Sequence, residues 1–246
     1  MPLGRNGGSR DDTRAMANDA LCWMSAVDLA AAIARKKVSP LEVVDAVLDR
    51  IERLKHLNAY CLVDRDGARR AARAAERALT GRRPTLGPLH GVPFSVKDLV
   101  ATKGVRTTFG TPIYRDNVPT EDAPSVARLK AAGGIMLGKT NTPTFGWVGV
   151  TDNLLFGPTR NPWNPNVTPG GSSGGAGAAA AAGLGPLHID QKAGGVVRHL
   201  RLQALVRPGG AASARCGVES LARRSNDPHG EGRGAHAVGD RRTRRA

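Results

Sequence analysis

The sequence predicts an α/β protein in which helices alternate with short apolar strands. Segments whose apolar residues recur at the 3.6-residue helical spacing are followed by short apolar runs, and this alternation favours a layered α/β architecture. Hydrophobic residues make up 40% of the 246 residues, which is typical of globular proteins and sufficient for one sizeable domain or two small ones. No apolar run approaches the length of a membrane span.

Two capped helices are predicted near the start of the chain. Ser25 to Asp28 resembles a capping box that opens a short helix. Ser39 can cap a second helix, because Pro40 suits the first helical position and Glu42 can reach back to the cap amide. The second helix carries an apolar stripe at helical spacing, made of Val43, Val44, Val47, Leu48, Ile51 and Leu54.

Further elements follow from the same patterns and from the positions of glycine and proline. They are a strand at 59–63, an Ala-rich helix at 64–79, a strand at 92–97, a helix at 122–132, a strand at 135–137 and, after Gly175, a helix through 182. Gly133 marks the end of the helix at 122–132. Four prolines and three glycines within residues 157–171 predict an irregular loop.

The two ends of the chain differ from its middle. Residues 1–20 are rich in Gly, Asp, Arg and Asn, without periodicity or an apolar signal segment, and predict a flexible leader. Residues 21–198 form the predicted domain. Residues 199–246 contain ten Arg, no Lys and no aromatic residue, and predict a disordered tail.

The net charge of +15 does not predict a nucleic-acid-binding protein. The tail supplies +6 of it, and the other basic residues are interspersed with acids on predicted helices, as on solvated helix faces. Aromatic residues are only 4% of the chain and do not alternate with Arg to stack bases. Three cysteines without metal-ligand spacing indicate a reduced, cytoplasmic setting and no metal site, and no cofactor is expected.

Two segments carry candidate catalytic residues. Lys97 ends an apolar strand, which suggests a lysine at the rim of a buried site that could act as a base; a surface lysine at a strand end is the alternative. The run GGSSGG at 170–175 precedes a helix, whose N-terminal amides favour developing negative charge. A Gly/Ser run is more often a flexible linker, but this one lies between a Pro/Asn-rich loop and a buried-type helix.

Together these segments resemble the amidase signature family. The matching stretches are GPLHGVP at 87–93, VKD at 96–98, GKTN at 138–141, NPWN at 161–164 and GGSSGG at 170–175. They occur in the family's order over about residues 21–198. The resemblance implies a mixed β-sheet flanked by helices, here truncated to the N-terminal portion of the family's length.

The resemblance also implies a Ser-cisSer-Lys triad. Lys97 matches the lysine base, Ser172 matches the bridging serine that follows a cis peptide bond, and Ser173 matches a supporting serine. In such a site the neutral lysine takes a proton from the bridging serine, which takes one from the nucleophile. The nucleophile then attacks the carboxamide carbonyl and forms an acyl-enzyme that water cleaves.

The nucleophile position departs from the family pattern. The family motif G-T-D-x-G-G-S-[IV]-R aligns without gaps with residues 190–198, where Val196 replaces the serine and Lys192 the aspartate. Valine has no lone pair for attack, so the chain is expected to be inactive as written. Gly194 and Gly195 are retained and could still present oxyanion-hole amides.

The abrupt end of the resemblance after Arg198 suggests a frameshift. The residues HLRL at 199–202 can be encoded by CAT CTC CGC CTC, and a shift of one base gives codons for Ile-Ser-Ala-Ser. That is the small-residue run that the family resemblance leads one to expect. We therefore hypothesise that residues 199–246 are a non-native tail, which sequencing of the locus can test.

Other functions stay open on the sequence alone. Residues 133–140 fit the phosphate-loop pattern G-x-x-x-x-G-K-[ST], although their interior is typical of a strand. One alternative is the glutamine-hydrolysing component of a tRNA-linked amidotransferase, and another is a non-catalytic basic binding protein that uses the Arg-rich tail. The expected partner is a small amide substrate, and no association with a membrane is expected. A homodimer is the candidate assembly of the full-length family form.

Overall fold

A computed structural model describes residues 18–81 and 86–190 of the chain. The helices are α1 (Ala26–Ala34), α2 (Pro40–Arg53), α3 (Arg65–Leu79), α4 (Pro124–Ala131) and α5 (Gly174–Ala181). The strands are β1 (Tyr60–Val63), β2 (Pro93–Lys97), β3 (Ile135–Thr140) and β4 (His188–Ile189). The predicted tail, 199–246, lies outside the described residues, as does the predicted leader except for its last three residues, which are helical.

The four strands form one mixed sheet, which confirms the predicted fold class. Their order is β1-β3-β2-β4, with β1 antiparallel to β3 and with β2 parallel to both β3 and β4. The strand β2 is therefore internal, and all five of its residues are buried. A strand buried on both faces needs a helix layer on each side, and the described helices supply it.

Alternation along β2 sends its side chains to two different layers. Phe94 and Val96 pack in one apolar cluster with Val126 and Leu129 of α4. The intervening odd-numbered positions face the opposite side, where Lys97 contacts Ser173, the residue that precedes α5. One face of the strand is thus an ordinary apolar core, and the other carries polar side chains.

The helix caps form as predicted. Glu42 N donates to Ser39 Oγ at 3.0 Å and Ser39 N donates to Glu42 Oε2 at 2.8 Å, which is the complete capping box of α2. Asp28 N donates to Ser25 Oγ at 3.1 Å at the start of α1. These caps fix the beginning of the two helices and orient their apolar faces toward the core.

The largest differences from the sequence-based expectations are at α4, β3 and β4. The helix α4 begins at Pro124 rather than 122, because Asp122 binds Lys103 N and Lys130 Nζ instead of entering the helix. The strand β3 continues to Thr140, three residues past the predicted end. The two-residue strand β4 is not predicted by the sequence pattern.

No helix within the described ranges is long and apolar enough to cross a membrane.

Candidate active site

Lys97 is a lysine with a buried ammonium group at the carboxyl end of β2. The residue is fully buried, and its Nζ donates to Ser172 Oγ at 2.8 Å, to Ser173 Oγ at 2.8 Å and to Asp190 Oδ1 at 3.1 Å. These three bonds use all three donors of an ammonium group. The structure thus brings together the three side chains that the resemblance selects, and the alternative of a surface lysine is wrong.

The Gly/Ser run is an ordered loop. The peptide bond between Gly171 and Ser172 is cis. A Cβ at Gly171 would lie 2.8 Å from backbone atoms of Gly149 and Val150, so only glycine fits this approach. Thr151 Oγ1 donates to Gly170 O at 2.9 Å and accepts from the backbone of the first residue of α5 at 2.9 Å. Residues from a distant turn therefore hold the loop in place, and it is not a linker.

Ser173 stands at the N-cap position of α5 without capping it. Its side chain makes no hydrogen bond to the helix backbone, although serine is a favoured N-cap residue. The hydroxyl lies 2.8 Å from Lys97 Nζ instead. The Ser173 hydroxyl thus bonds to Lys97 instead of capping the helix. This supports an assignment of Ser173 to the site.

Thr142 fixes the backbone of the other serine. Its Oγ1 donates to Ser172 O at 3.2 Å, and Asn153 Nδ2 donates to Thr142 O at 2.7 Å. Asn153 Nδ2 also donates to Asn141 Oδ1 at 2.7 Å, and all of these polar groups are buried except the serine. A satisfied buried network of this kind restricts the position of the Ser172 hydroxyl relative to Lys97.

Two opposing effects act on the charge of Lys97. Burial lowers the pKa of its ammonium group and the Asp190 carboxylate raises it, and the net result is a pKa below the usual range for lysine. Burial therefore favours the neutral amine that a base requires, whereas Asp190 favours the ammonium ion. The carboxylate that faces Lys97 controls the balance between the two forms.

Asp190 is a site residue that the sequence analysis missed, and His188 lies beside the site without contacting Lys97. The ungapped motif alignment assigns Lys192, not Asp190, to the position of the family's aspartate, so no local signal identified the acid. His188 Nδ1 lies 2.6 Å from Ser95 Oγ, two positions before Lys97 on the same strand.

The neighbouring acid Asp98 does not belong to the site. Its carboxylate accepts from Thr108 N at 3.1 Å and from Thr108 Oγ1 at 2.5 Å. Burial raises the pKa of this carboxyl group, and the bonds to Thr108 partly offset the increase. Asp98 therefore anchors the segment around Thr108 to the end of β2.

Lys139 is a second buried lysine and excludes the phosphate-loop interpretation. Its Nζ donates to Val100 O at 2.5 Å, to Thr102 Oγ1 at 3.1 Å and to Thr107 Oγ1 at 2.9 Å. The segment around it is the strand β3, and no α-helix follows directly. A lysine enclosed by these three acceptors is not available to a phosphate group.

Three of the predicted site residues lie outside the described part of the chain. These are Val196 at the nucleophile position and the oxyanion candidates Gly194 and Gly195. Within residues 18–81 and 86–190, no cluster of three or more His, Cys, Asp or Glu side chains is arranged to hold a metal ion.

Comparisons with known proteins point to one family. The protein-family model described as Amidase matches residues 42–199. The chain is 45% identical over 208 residues to the acylamidase of Rhodococcus erythropolis, an alignment that covers 84% of the chain and 41% of the relative. It is 47% identical over 176 residues to a glutamyl-tRNA(Gln) amidotransferase subunit of Acidothermus cellulolyticus, over 71% of the chain and 34% of the relative.

The solved structures agree with these relatives. A bacterial aryl acylamidase of the amidase signature family is similar to this chain with a TM-score of 0.65 and 38% identity, over 68% of this chain and 35% of that chain. The chain spans about two fifths, or less, of the length of the relatives it matches.

Proposed function

Because this chain belongs to the amidase signature family, we propose that it carries the proton-relay part of a site that hydrolyses the C–N bond of a carboxamide. The contact between Lys97 Nζ and Ser172 Oγ, at 2.8 Å, is the observation that carries the proposal. A hydrogen bond between a candidate base and a hydroxyl is the geometry that proton transfer requires.

The relay runs from a nucleophile through Ser172 to Lys97. Neutral Lys97 accepts the proton of Ser172, and Ser172 accepts the proton of the attacking hydroxyl. As that hydroxyl bonds to the amide carbon, the relay returns the proton to the leaving nitrogen and the C–N bond breaks. Water then enters by the same route and releases the acid.

In this chain the relay has no hydroxyl to activate at position 196. Val196 occupies the place of the nucleophile, so the acyl-enzyme does not form and amides are not turned over. Loss of a nucleophile lowers kcat by roughly four to six orders of magnitude in comparable sites. Lys97, Ser172 and Ser173 then remain as a relay without an attacking group.

The test compares amide hydrolysis by two proteins. The chain itself is assayed beside a Val196→Ser version in which the reading frame after residue 198 is restored. We expect release of ammonia or amine from short carboxamides only in the second protein, and we expect Ser172→Ala to abolish it. Ser95→Ala is the matched control, because this serine lies on the same strand and contacts His188 rather than the relay. Activity that survives Ser172→Ala would contradict the relay.

The relationship to a tRNA-linked amidotransferase favours one other substrate. The 47% identity to that protein makes glutamine a candidate amide for the restored enzyme. If that candidate is correct, glutamine is hydrolysed faster than simple carboxamides and partner proteins co-purify with the restored enzyme. Preference for simple acyl amides without such partners would favour the acylamidase-like substrate.

A further inference from the structure

A cavity separate from the relay side chains combines positive charge with an apolar wall. It is a half-open pocket of about 250 Å³ and is lined by Arg106, Thr108, Arg115, Leu154, Leu155 and Phe156. Both arginines are exposed, and neither forms an ion pair with a carboxylate in the described ranges. Two uncompensated guanidinium groups beside one cavity are a site for an anion.

One wall of the cavity is fixed to the strand that ends in Lys97. Thr108 donates its hydroxyl to Asp98, and Phe109 N donates to Asp98 O at 3.1 Å. Thr108 Oγ1 also accepts from Gly110 N at 3.2 Å, so this hydroxyl is already satisfied. The polar contacts available to a ligand on this wall therefore come from Arg106 and not from Thr108.

The opposite wall is fixed to the backbone beside Ser172. Asn153 Oδ1 accepts from Leu155 N at 3.0 Å and from Phe156 N at 2.9 Å, so it shapes the apolar turn. The same side chain donates to Thr142 O, and Thr142 donates to Ser172 O. The first wall is thus held by Asp98 at the end of β2 and the second by the network beside Ser172, so the backbone of both walls is fixed before a ligand binds.

The chemistry of the lining selects the ligand. Arginine offers a planar pair of N–H donors that matches the two oxygens of a carboxylate. The side chains of Leu154, Leu155 and Phe156 offer contact to hydrocarbon. The volume is below the range of roughly 300–1,000 Å³ that is usual for drug-sized ligands, so the occupant is small.

We infer that this cavity binds a carboxylate carried on a short hydrocarbon or aromatic group, held by Arg106 and Arg115. The inference goes beyond the proposed function and needs no turnover, because it concerns binding at a place other than the relay. A carboxylate is also the product of carboxamide hydrolysis, so the site would retain the acid or select substrates that bear one.

The test is a titration of the full chain with hexanoate, in which binding is measured by calorimetry or by NMR chemical-shift changes. Hexanamide, a neutral analogue, and acetate, which lacks the chain, are expected to bind at least tenfold more weakly. Arg106→Gln and Arg115→Gln are each expected to lower the affinity for hexanoate roughly fivefold, and the double variant is expected to show no measurable binding. Arg128→Gln removes the same charge from an exposed position of α4 and should leave binding unchanged.

Three further arms locate the ligand and define its chemistry. Leu154→Ser, at a residue that is 89% exposed, should lower the affinity for hexanoate and leave that for acetate unchanged. Inorganic phosphate that binds as tightly as hexanoate, with no effect of Leu154→Ser, would reduce the site to general anion attraction and overturn the inference. Binding that persists in the double arginine variant but disappears in Lys97→Met would place the ligand at the relay, which also overturns it. None of these binding results bears on whether the frame-restored protein hydrolyses amides.

Discussion

The helix that presents Ser172 and Ser173 can be tested with two glycine substitutions two positions apart. Gly175 lies against the backbone of other segments: an added Cβ would overlap the backbone N and O of Asn141 and would lie 2.7 Å from Ala59 O. Gly177, in the same helix, has nothing within 4 Å of the same position. The pair therefore separates the effect of close packing from the effect of helix propensity.

The expected magnitudes follow from these distances. Alanine in place of glycine gains about 1 kcal/mol of helix propensity at either position. At Gly175 the obstacles are backbone atoms that cannot rotate away, so overpacking costs about 3 kcal/mol and the net loss is about 2 kcal/mol. The two variants should then differ by roughly 3 kcal/mol in the free energy of unfolding, which is about 6–12 °C in Tm for a domain of this size.

The assay is equilibrium unfolding in urea, with a thermal melt for each of the three proteins. Gly177→Ala is expected to unfold at a slightly higher urea concentration than the parent, and Gly175→Ala at a clearly lower one. A Gly175→Ala protein as stable as Gly177→Ala would refute the close contact between α5 and the strand ends. In that case the packing of α5 would no longer support the position of Ser172 beside Lys97.

Three further predictions concern buried charges. Asp190→Asn should lower the pKa of Lys97 further, since burial then acts without the carboxylate, and a pH titration of the side-chain resonances of Lys97 checks this. Burial lowers the pKa of His188 to about 4, so the folded protein holds this ring neutral. The free energy of unfolding should therefore be at its full value above pH 6.5 and should fall by roughly 3 kcal/mol as the pH drops toward 4. Urea unfolding should show this loss in the parent and not in His188→Gln. Burial lowers the pKa of Lys139 to about 8, so stability relative to Lys139→Met should increase as the pH rises from 8 to 10.5, and a flat difference would contradict it.

The sequence predicts the parts of this structure that depend on local signals. The capping box at Ser39 and Glu42 forms as predicted because its residues are three positions apart and need no tertiary contact. The contact of Lys97 with Ser172, 75 positions away, was accessible only through the resemblance to a family. Composition and periodicity alone left both residues open to ordinary structural roles.

The remaining features arise from long-range pairing that local patterns do not encode. The predicted strand at 135–137 stops too early because Gly, Lys and Thr at 138–140 resemble a polar loop. In the fold Lys139 is buried because three acceptors from the segment between 100 and 107 surround its ammonium group. Asp190 reaches Lys97 from 93 positions away, directly after a strand of two residues that is too short to leave a periodic signal.

The central claim is that Lys97 and Ser172 act as one proton relay, and a double-mutant cycle tests it most directly. The measurement is kcat/KM for an amide in the Val196→Ser, frame-restored protein and in its Lys97→Met, Ser172→Ala and doubly substituted forms. Residues of one relay lose their function together, so the account predicts that the double variant is no slower than the slower single variant. Losses that multiply in the double variant would show that the two residues act independently, and would contradict the account.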